Sequence, residues 1–120
     1  MELSKICAIF AVFSGMSAED ALEHLELMRL AVEELTGMLR PGVHPEQHAE
    51  VLNHAAAALA FYRYSIITAN AGGVGSLRAG NVTIGADPDA AIRSAAEIRG
   101  EFLRLAAPFL RETDFLFRAV

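Results

Sequence analysis

Residues 49–70 read AEVLNHAAAALAFYRYSIITAN, and this stretch decides the fold class because it is predicted to form one long, mostly apolar helix. Its run of alanines gives a smooth surface on which a neighbouring helix can approach closely. Its second half carries bulkier aromatic side chains, Phe61, Tyr62 and Tyr64. Pro45, just upstream, suits the first turn of a helix. The sequence therefore predicts a helix from about residue 45 to residue 70.

A second long helix is predicted upstream, over residues 17–39. Ser17 followed by Asp20 resembles a capping box, in which side chains satisfy the amides of a helix start. Apolar residues recur at three- and four-residue spacing and predict the core face of an amphipathic helix. These residues are Ala18, Leu22, Leu25, Val32, Leu35 and Leu39. Pro41 and Gly42 then end the helix.

A third long helix is predicted over residues 88–107. Asp87 supplies a cap and Pro88 suits the first turn. Pro108 should kink or end the helix. Its expected core face is the set Ala91, Ala95, Ile98, Phe102 and Leu105.

Residues 71–86 break the helical pattern and contain five glycines. Gly80-Asn81 suits a tight two-residue turn, so a short β-hairpin is predicted here. Leu77, Val82 and Ile84 alternate with polar residues and give the hairpin one apolar face. Two strands alone are marginal in water, so this face must rest on the bundle or on a neighbouring subunit. We expect these three residues to be interface residues.

Both ends of the chain are also strongly apolar. Residues 3–13 are apolar on every side and predict a short N-terminal helix that must be covered all round. Phe10 and Phe13 are therefore expected at a subunit interface. Phe115 and Phe117 belong to a segment too apolar to stay exposed, and we expect them at an interface as well.

Length and composition agree with one folded domain over residues 1–120. Hydrophobic residues make up 53% of the 120-residue chain and charged residues 21%, which is enough apolar surface to fold. The excess suggests that part of it is covered by another subunit. The expected fold is mainly α: an elongated bundle of three long helices and a short N-terminal helix, with a small β-hairpin insertion at about 71–86.

The charge balance excludes a general nucleic-acid binder. The formal net charge is −5, and residues 1–60 hold nine acidic against three basic residues, whereas phosphate binding needs a basic face. Arg63 interrupts the mostly apolar residues 55–69, so no membrane span is expected. The run Ile6 to Phe13 is short for a signal peptide and no clean cleavage site follows it. The single Cys7 indicates a reducing compartment and an inert core thiol.

Candidate metal ligands lie near the start of the second long helix. His44 and His48 superficially resemble a zinc-binding helix, but Pro45 stands where that motif needs glutamate, and His44 precedes the helix. Glu50 or His54 could supply a third ligand. A metal or ligand site using these residues, or a cavity beside Tyr62, is the alternative hypothesis of a small helical-bundle binding protein or enzyme.

Other catalytic signatures are incomplete. Gly75 and Gly80 have the outer spacing of a phosphate loop, but the lysine is missing and no helix follows. No serine has an adjacent histidine or the strand-to-helix elbow of a nucleophile. The serines considered are Ser14, Ser65, Ser76 and Ser94. We therefore expect no enzymatic activity, no catalytic residues, no bound metal and no cofactor.

The order of these elements resembles a known family. The segment Ala79-Gly80-Asn81-Val82-Thr83-Ile84-Gly85 follows a long Ala-rich helix and precedes a last helix ending Ala107-Pro108-Phe109-Leu110. In this it is similar to the small head-tail adaptor (connector) proteins of long-tailed bacteriophages and prophages. The resemblance implies a ring of identical subunits at the portal, made in the bacterial cytoplasm and incorporated into the virion. Its partners would be further copies, portal and tail-completion proteins, with DNA only passing through the ring.

Overall fold

The computed structural model describes residues 1–70 and 87–111, and this part of the chain is mainly helical, which confirms the mainly α class; the β-hairpin predicted at about 71–86 lies outside the described residues. Three 3-10 segments, Leu22–His24, Pro45–His48 and Ala107–Phe109, adjoin the α-helices. The α-helices are α1 (Leu3–Ser14), α2 (Ala18–Ala21), α3 (Leu25–Met38), α4 (Ala49–Asn70) and α5 (Pro88–Ala106). The molecule extends 45 × 27 × 18 Å.

Helix α4 is the centre of the bundle and packs against α1, α3 and α5. Residues 55–60 are all fully buried, as expected for a helix whose small side chains let its neighbours come close. The amide of Glu2 donates to Asn53 Oδ1 at 3.2 Å, and Phe10 meets Phe61, so α1 runs parallel to α4. Helix α5 runs antiparallel to α4, because its Phe102 stacks on His54 and Phe109, just beyond its end, stacks on His48.

Two of the predicted helix starts, at Ser17 and Asp87, are confirmed, whereas the helix predicted from about residue 45 begins with the 3-10 segment Pro45–His48 and is α-helical only from Ala49. Ser17 Oγ accepts a hydrogen bond from the Asp20 amide at 3.1 Å and caps α2. Asp87 Oδ1 accepts from the Ala90 amide, also at 3.1 Å, and Pro88 is the first residue of α5. These caps satisfy amides that have no partner within their own helix.

The single helix predicted over residues 17–39 is wrong. The α-helical pattern is interrupted after Ala21, and His24 has φ −115° and ψ 22°, outside the helical region. The His24 ring packs against Phe10 and Tyr64, with centroids 5.9 and 4.8 Å apart. This change of helix register turns Leu22 outward to 56% exposure. The core side of the segment is instead formed by Ala21, Met28, Ala31 and Leu35.

The core face of α5 also differs from the prediction. Leu105 is 55% exposed, although it was expected in the core. Leu103 and Ala106 are fully buried together with the predicted Ala95. The face of α5 that packs on the core is therefore rotated about the helix axis relative to the face predicted from the apolar spacing.

The ends of α3 and α5 are joined by a short antiparallel contact that the sequence did not predict. The Arg40 amide donates to the Phe109 carbonyl at 2.9 Å, and the Arg111 amide donates to the Met38 carbonyl at 2.7 Å. Leu39 and Leu110 form the bridge between them. Arg40 Nε also donates to the Leu110 carbonyl at 2.9 Å. We call residues 38–40 and 109–111 the helix-end clasp.

Candidate functional site

A surface groove lies between α1 and α4. It encloses about 490 Å³. Small and apolar side chains alternate in it with a few polar groups, the composition typical of binding grooves. The lining residues are Lys5, Ala8, Ile9, Ala49, Glu50, Asn53 and His54. We call this set the His54 groove.

His54 occupies a defined position at one edge of the groove. Its Nδ1 lies 2.8 Å from the Glu50 carbonyl, and because a carbonyl only accepts, Nδ1 carries the hydrogen. In its neutral form this tautomer presents Nε2 as an acceptor. A face of the imidazole ring stacks on the Phe102 ring of α5, and the two ring centroids are 5.2 Å apart. The imidazole is thus held in place by one hydrogen bond and one aromatic contact.

The groove continues beyond His54 onto α5. A second, smaller depression of about 250 Å³ is lined by Glu50, Val51, His54, Phe102 and Leu105. Glu50 and His54 belong to both depressions, so the two form one surface across α1, α4 and α5. Leu105, which lines the smaller depression, is 55% exposed. Val12, on the same face of α1 as Lys5, Ala8 and Ile9, is 78% exposed.

The aromatic residues of α4 lie in the core. Phe61, Tyr62 and Tyr64 are all buried. Phe10 packs nearly perpendicular to both Phe61 and Tyr64, and the Arg99 guanidinium lies 3.8 Å from the centre of the Tyr62 ring. Burial raises the pKa of Tyr64, and the nearby Asp20 carboxylate raises it further.

Arg63 is held by an acidic partner on α3. Its Nη1 and Nη2 lie 2.6 and 2.9 Å from the two carboxylate oxygens of Glu34. Such two-point geometry is the strongest form of a surface ion pair. The charge of Arg63 on α4 is therefore paired with Glu34 at the edge of the bundle.

The predicted metal ligands are not brought together. His44 Nδ1 lies 4.0 Å from Glu46 Oε1. The His48 ring stacks on Phe109, and their ring centroids are 3.9 Å apart. Glu50 and His54 face the groove instead. Across residues 1–70 and 87–111, no three histidine, cysteine or acidic side chains are arranged to hold a metal ion.

The candidate nucleophiles are engaged in the fold. Cys7 is buried, and burial raises the pKa of its thiol. Ser14 Oγ donates to the Phe10 carbonyl at 2.8 Å, and Ser65 Oγ donates to the Phe61 carbonyl at 3.0 Å. These bonds hold the hydroxyls against their own helices. Ser94 is exposed, and Ser76 lies outside the described residues.

Among the expected interface residues, Phe10 is corrected. It is fully buried and forms the centre of the contact between α1 and α4, so it has no surface to offer a partner. Phe13 is half-buried and touches Phe61 and Phe102. The other expected interface residues lie outside the described part of the chain: Leu77, Val82, Ile84, Phe115 and Phe117.

Sequence reasoning missed the His54 groove because a groove depends on how two helices meet. Its only sequence signal is a pair of small residues, Ala8 and Ala49, on facing surfaces.

In the described ranges, no helix is both long and apolar enough to cross a membrane. Comparison with protein families, characterised proteins and solved structures finds no match for this chain.

Proposed function

We propose that this chain is a structural subunit of a phage or prophage head-tail connector, which assembles into a ring at the portal. The observation that carries the proposal is the order of sequence elements. An Ala-rich helix is followed by Gly80-Asn81-Val82-Thr83-Ile84 and then by a helix ending Ala107-Pro108-Phe109. Its partners are further copies, portal and tail-completion proteins. It performs no catalysis, and DNA passes through the ring without being read.

The arrangement of α4 and α5 supports this role. The two helices are antiparallel neighbours, so Asn70 and Asp87 lie at the same end of the bundle. The two described residues that flank 71–86 therefore lie close to the same end of the bundle. A segment tethered in this way can be offered to an adjacent subunit while the bundle keeps its own core.

Exposed apolar side chains give a second line of support. Val12 on α1 is 78% exposed, and Leu105 on α5, which lines the smaller depression beside His54, is 55% exposed. Exposed apolar side chains that form a patch are typical of interaction sites. A heterologous contact between two different surfaces of the same chain closes into rings when the rotation allows.

Assembly itself is tested by native mass spectrometry and light scattering across a range of protein concentrations, with electron microscopy of concentrated samples. We expect ring-shaped oligomers, or rings formed when a phage portal protein is added. A strictly monomeric chain that also ignores the portal contradicts the proposal.

The expected interface in residues 77–84 is tested by a matched pair of double variants. Val82→Asp with Ile84→Asp places charge on the predicted apolar face. Asn81→Asp with Thr83→Asp adds the same charge to the predicted polar face. We expect the first variant to lose assembly and the second to keep it, with both retaining the helicity and thermal unfolding of the isolated subunit. Unfolding of the subunit by the first variant would instead place these side chains in its own core.

A further inference from the structure

The His54 groove and the smaller depression beside it form one partly apolar surface that no described residue covers. Leu105, in the smaller depression, is more than half exposed. Residues 112–120 follow directly after the helix-end clasp and lie beyond the described part of the chain. We propose that residues 112–120 dock onto this surface of their own chain. The inference goes beyond the proposed function and does not depend on it.

The helix-end clasp places the start of the segment beside this surface. Phe109 stacks on His48, with ring centroids 3.9 Å apart. His48 directly precedes Ala49, which lines the groove on α4. On the α5 side, Leu105 lies about one helical turn before Phe109. The α4 and α5 sides of the surface are therefore each within about one turn of the stacked pair.

The segment is long enough to reach the surface in whatever direction the chain leaves Arg111. The path from Leu105 to Arg111 is one helical turn and two further residues, which span roughly 15 Å at most. The six residues from Arg111 to Phe117 span up to roughly 20 Å when extended. Phe117 can therefore reach Leu105 on its own bundle.

The composition of the segment fits the surface. Residues 112–120 read ETDFLFRAV, in which Phe115–Phe117 form an apolar block. The surface offers apolar side chains from three helices, Ile9, Val51 and Leu105. Docking removes both apolar sets from water at once, which is the main favourable term in such contacts.

The short connection favours the segment's own chain over a second copy. A segment tethered this closely is presented to its own bundle at an effective concentration in roughly the millimolar range. A second copy at micromolar concentration competes poorly with such a tether. The docked segment then covers the α5 side of the surface in the free subunit, so a partner that uses this surface has to displace it.

Disulfide trapping in the full chain tests the docked position. Glu50→Cys, in the groove, is combined with Arg118→Cys, next to the apolar block. Glu50 is exposed and holds His54 through its backbone carbonyl, so the substitution keeps that bond. We expect an intrachain disulfide under mild oxidation at low micromolar protein, read by non-reducing electrophoresis and peptide mapping. Such a bond forms only when the two Cα atoms come within about 7 Å.

Glu33→Cys combined with Arg118→Cys is the matched control. Glu33 is exposed and lies one helical turn before Gly37, whose carbonyl the Arg111 side chain contacts. It is therefore close to the start of the segment, but its helix α3 does not line the surface. We expect trapping at Glu33→Cys to be slower than at Glu50→Cys by about fivefold or more. Adding Phe115→Ser and Phe117→Ser to the Glu50→Cys variant should slow trapping by a similar factor.

Dye binding is a second measurement that needs no cysteine. Phe115→Ser with Phe117→Ser should uncover the surface and raise the fluorescence of an apolar dye such as anilinonaphthalene sulfonate. Thr113→Ala with Ala119→Ser, which keeps both rings, should leave the fluorescence unchanged. If the apolar block is instead exposed in the unmodified chain, it binds the dye itself, and its loss lowers the signal.

Three results overturn the inference. Equal trapping at Glu50→Cys and Glu33→Cys, or trapping that the loss of the two rings does not slow, shows that the tether alone brings the cysteines together. A disulfide between two chains overturns the choice of the segment's own chain and favours the intersubunit contact that the sequence predicts for Phe115 and Phe117. Dye fluorescence that stays the same or falls in the double serine variant shows that the segment does not cover the surface.

Discussion

Replacing Phe10 by alanine tests whether this ring belongs to the core of the subunit. Phe10 is fully buried and contacts the rings of His24, Phe61 and Tyr64, with centroids 5.8 to 6.3 Å apart. Removing a buried phenylalanine loses the transfer free energy of the ring and leaves a cavity, which together cost about 3–5 kcal/mol. Two of these contacts are nearly perpendicular aromatic pairs, worth about 0.5–1.5 kcal/mol each beyond burial. We therefore expect the upper half of that range.

A loss of about 4–5 kcal/mol is a large fraction of the roughly 5–15 kcal/mol that stabilises a domain. For a chain of this length it corresponds to a fall in Tm of roughly 10–20 °C. The measurement is urea unfolding followed by circular dichroism at low protein concentration, where assembly does not contribute.

Val12→Ala is the matched control for Phe10→Ala, because Val12 lies on the same helix but is 78% exposed. A surface change of this kind should alter the free energy of unfolding by less than about 0.5 kcal/mol. If Phe10→Ala leaves unfolding of the isolated subunit unchanged and weakens only self-association, Phe10 is an interface residue and the described packing of α1 on α4 is wrong.

Three further predictions follow from local contacts. A double-mutant cycle with Glu34→Gln and Arg63→Met should give a coupling energy of about 1 kcal/mol or less, since the pair is partly exposed, and 1 M salt should reduce it. Burial lowers the pKa of His24 below its ordinary value of 6.5, although the charges of Glu23 and Asp20 act in the opposite direction. The free energy of unfolding should therefore be highest above pH 6.5 and fall as the pH drops toward the folded-state pKa. Urea midpoints measured between about pH 5 and 7.5 should show this fall, and His24→Gln should abolish it. Ser17→Ala should reduce the free energy of unfolding by about 1 kcal/mol through loss of the α2 cap, and Ser17→Asp should not.

The helix starts were predictable because they depend on local chemistry. Ser17 and Asp87 cap helices with their own side chains, and Pro88 has its φ angle already set for a first turn. None of these features requires knowledge of the rest of the fold.

The break at His24 was not predictable, because it depends on contacts between residues distant in sequence. Leu22 and Leu25 continue an apolar spacing that favours an unbroken helix. The His24 ring instead packs between Phe10 and Tyr64, and the backbone departs from helical angles to allow it. Tertiary packing thus overrides local preference at this position.

The candidate site was predicted only in its individual residues. His54 and Glu50 attracted attention as possible metal ligands, but the structure places them along a groove beside Ala8. Nothing in the spacing of α4 reveals which face α1 leaves uncovered. The rotation of α5 that exposes Leu105 was hidden for the same reason, since apolar spacing fits two neighbouring faces almost equally well.

The helix-end clasp has a mechanical consequence. Any tension applied to the chain beyond Arg111 first reaches backbone hydrogen bonds to Met38 and Arg40, before it can lift the last turn of α5 from α4. The load is therefore divided between two helices that are distant in sequence, and α5 is protected from peeling. If a neighbouring subunit pulled on the chain beyond Arg111, the clasp would pass the force to both α3 and α5, and through them to the whole bundle.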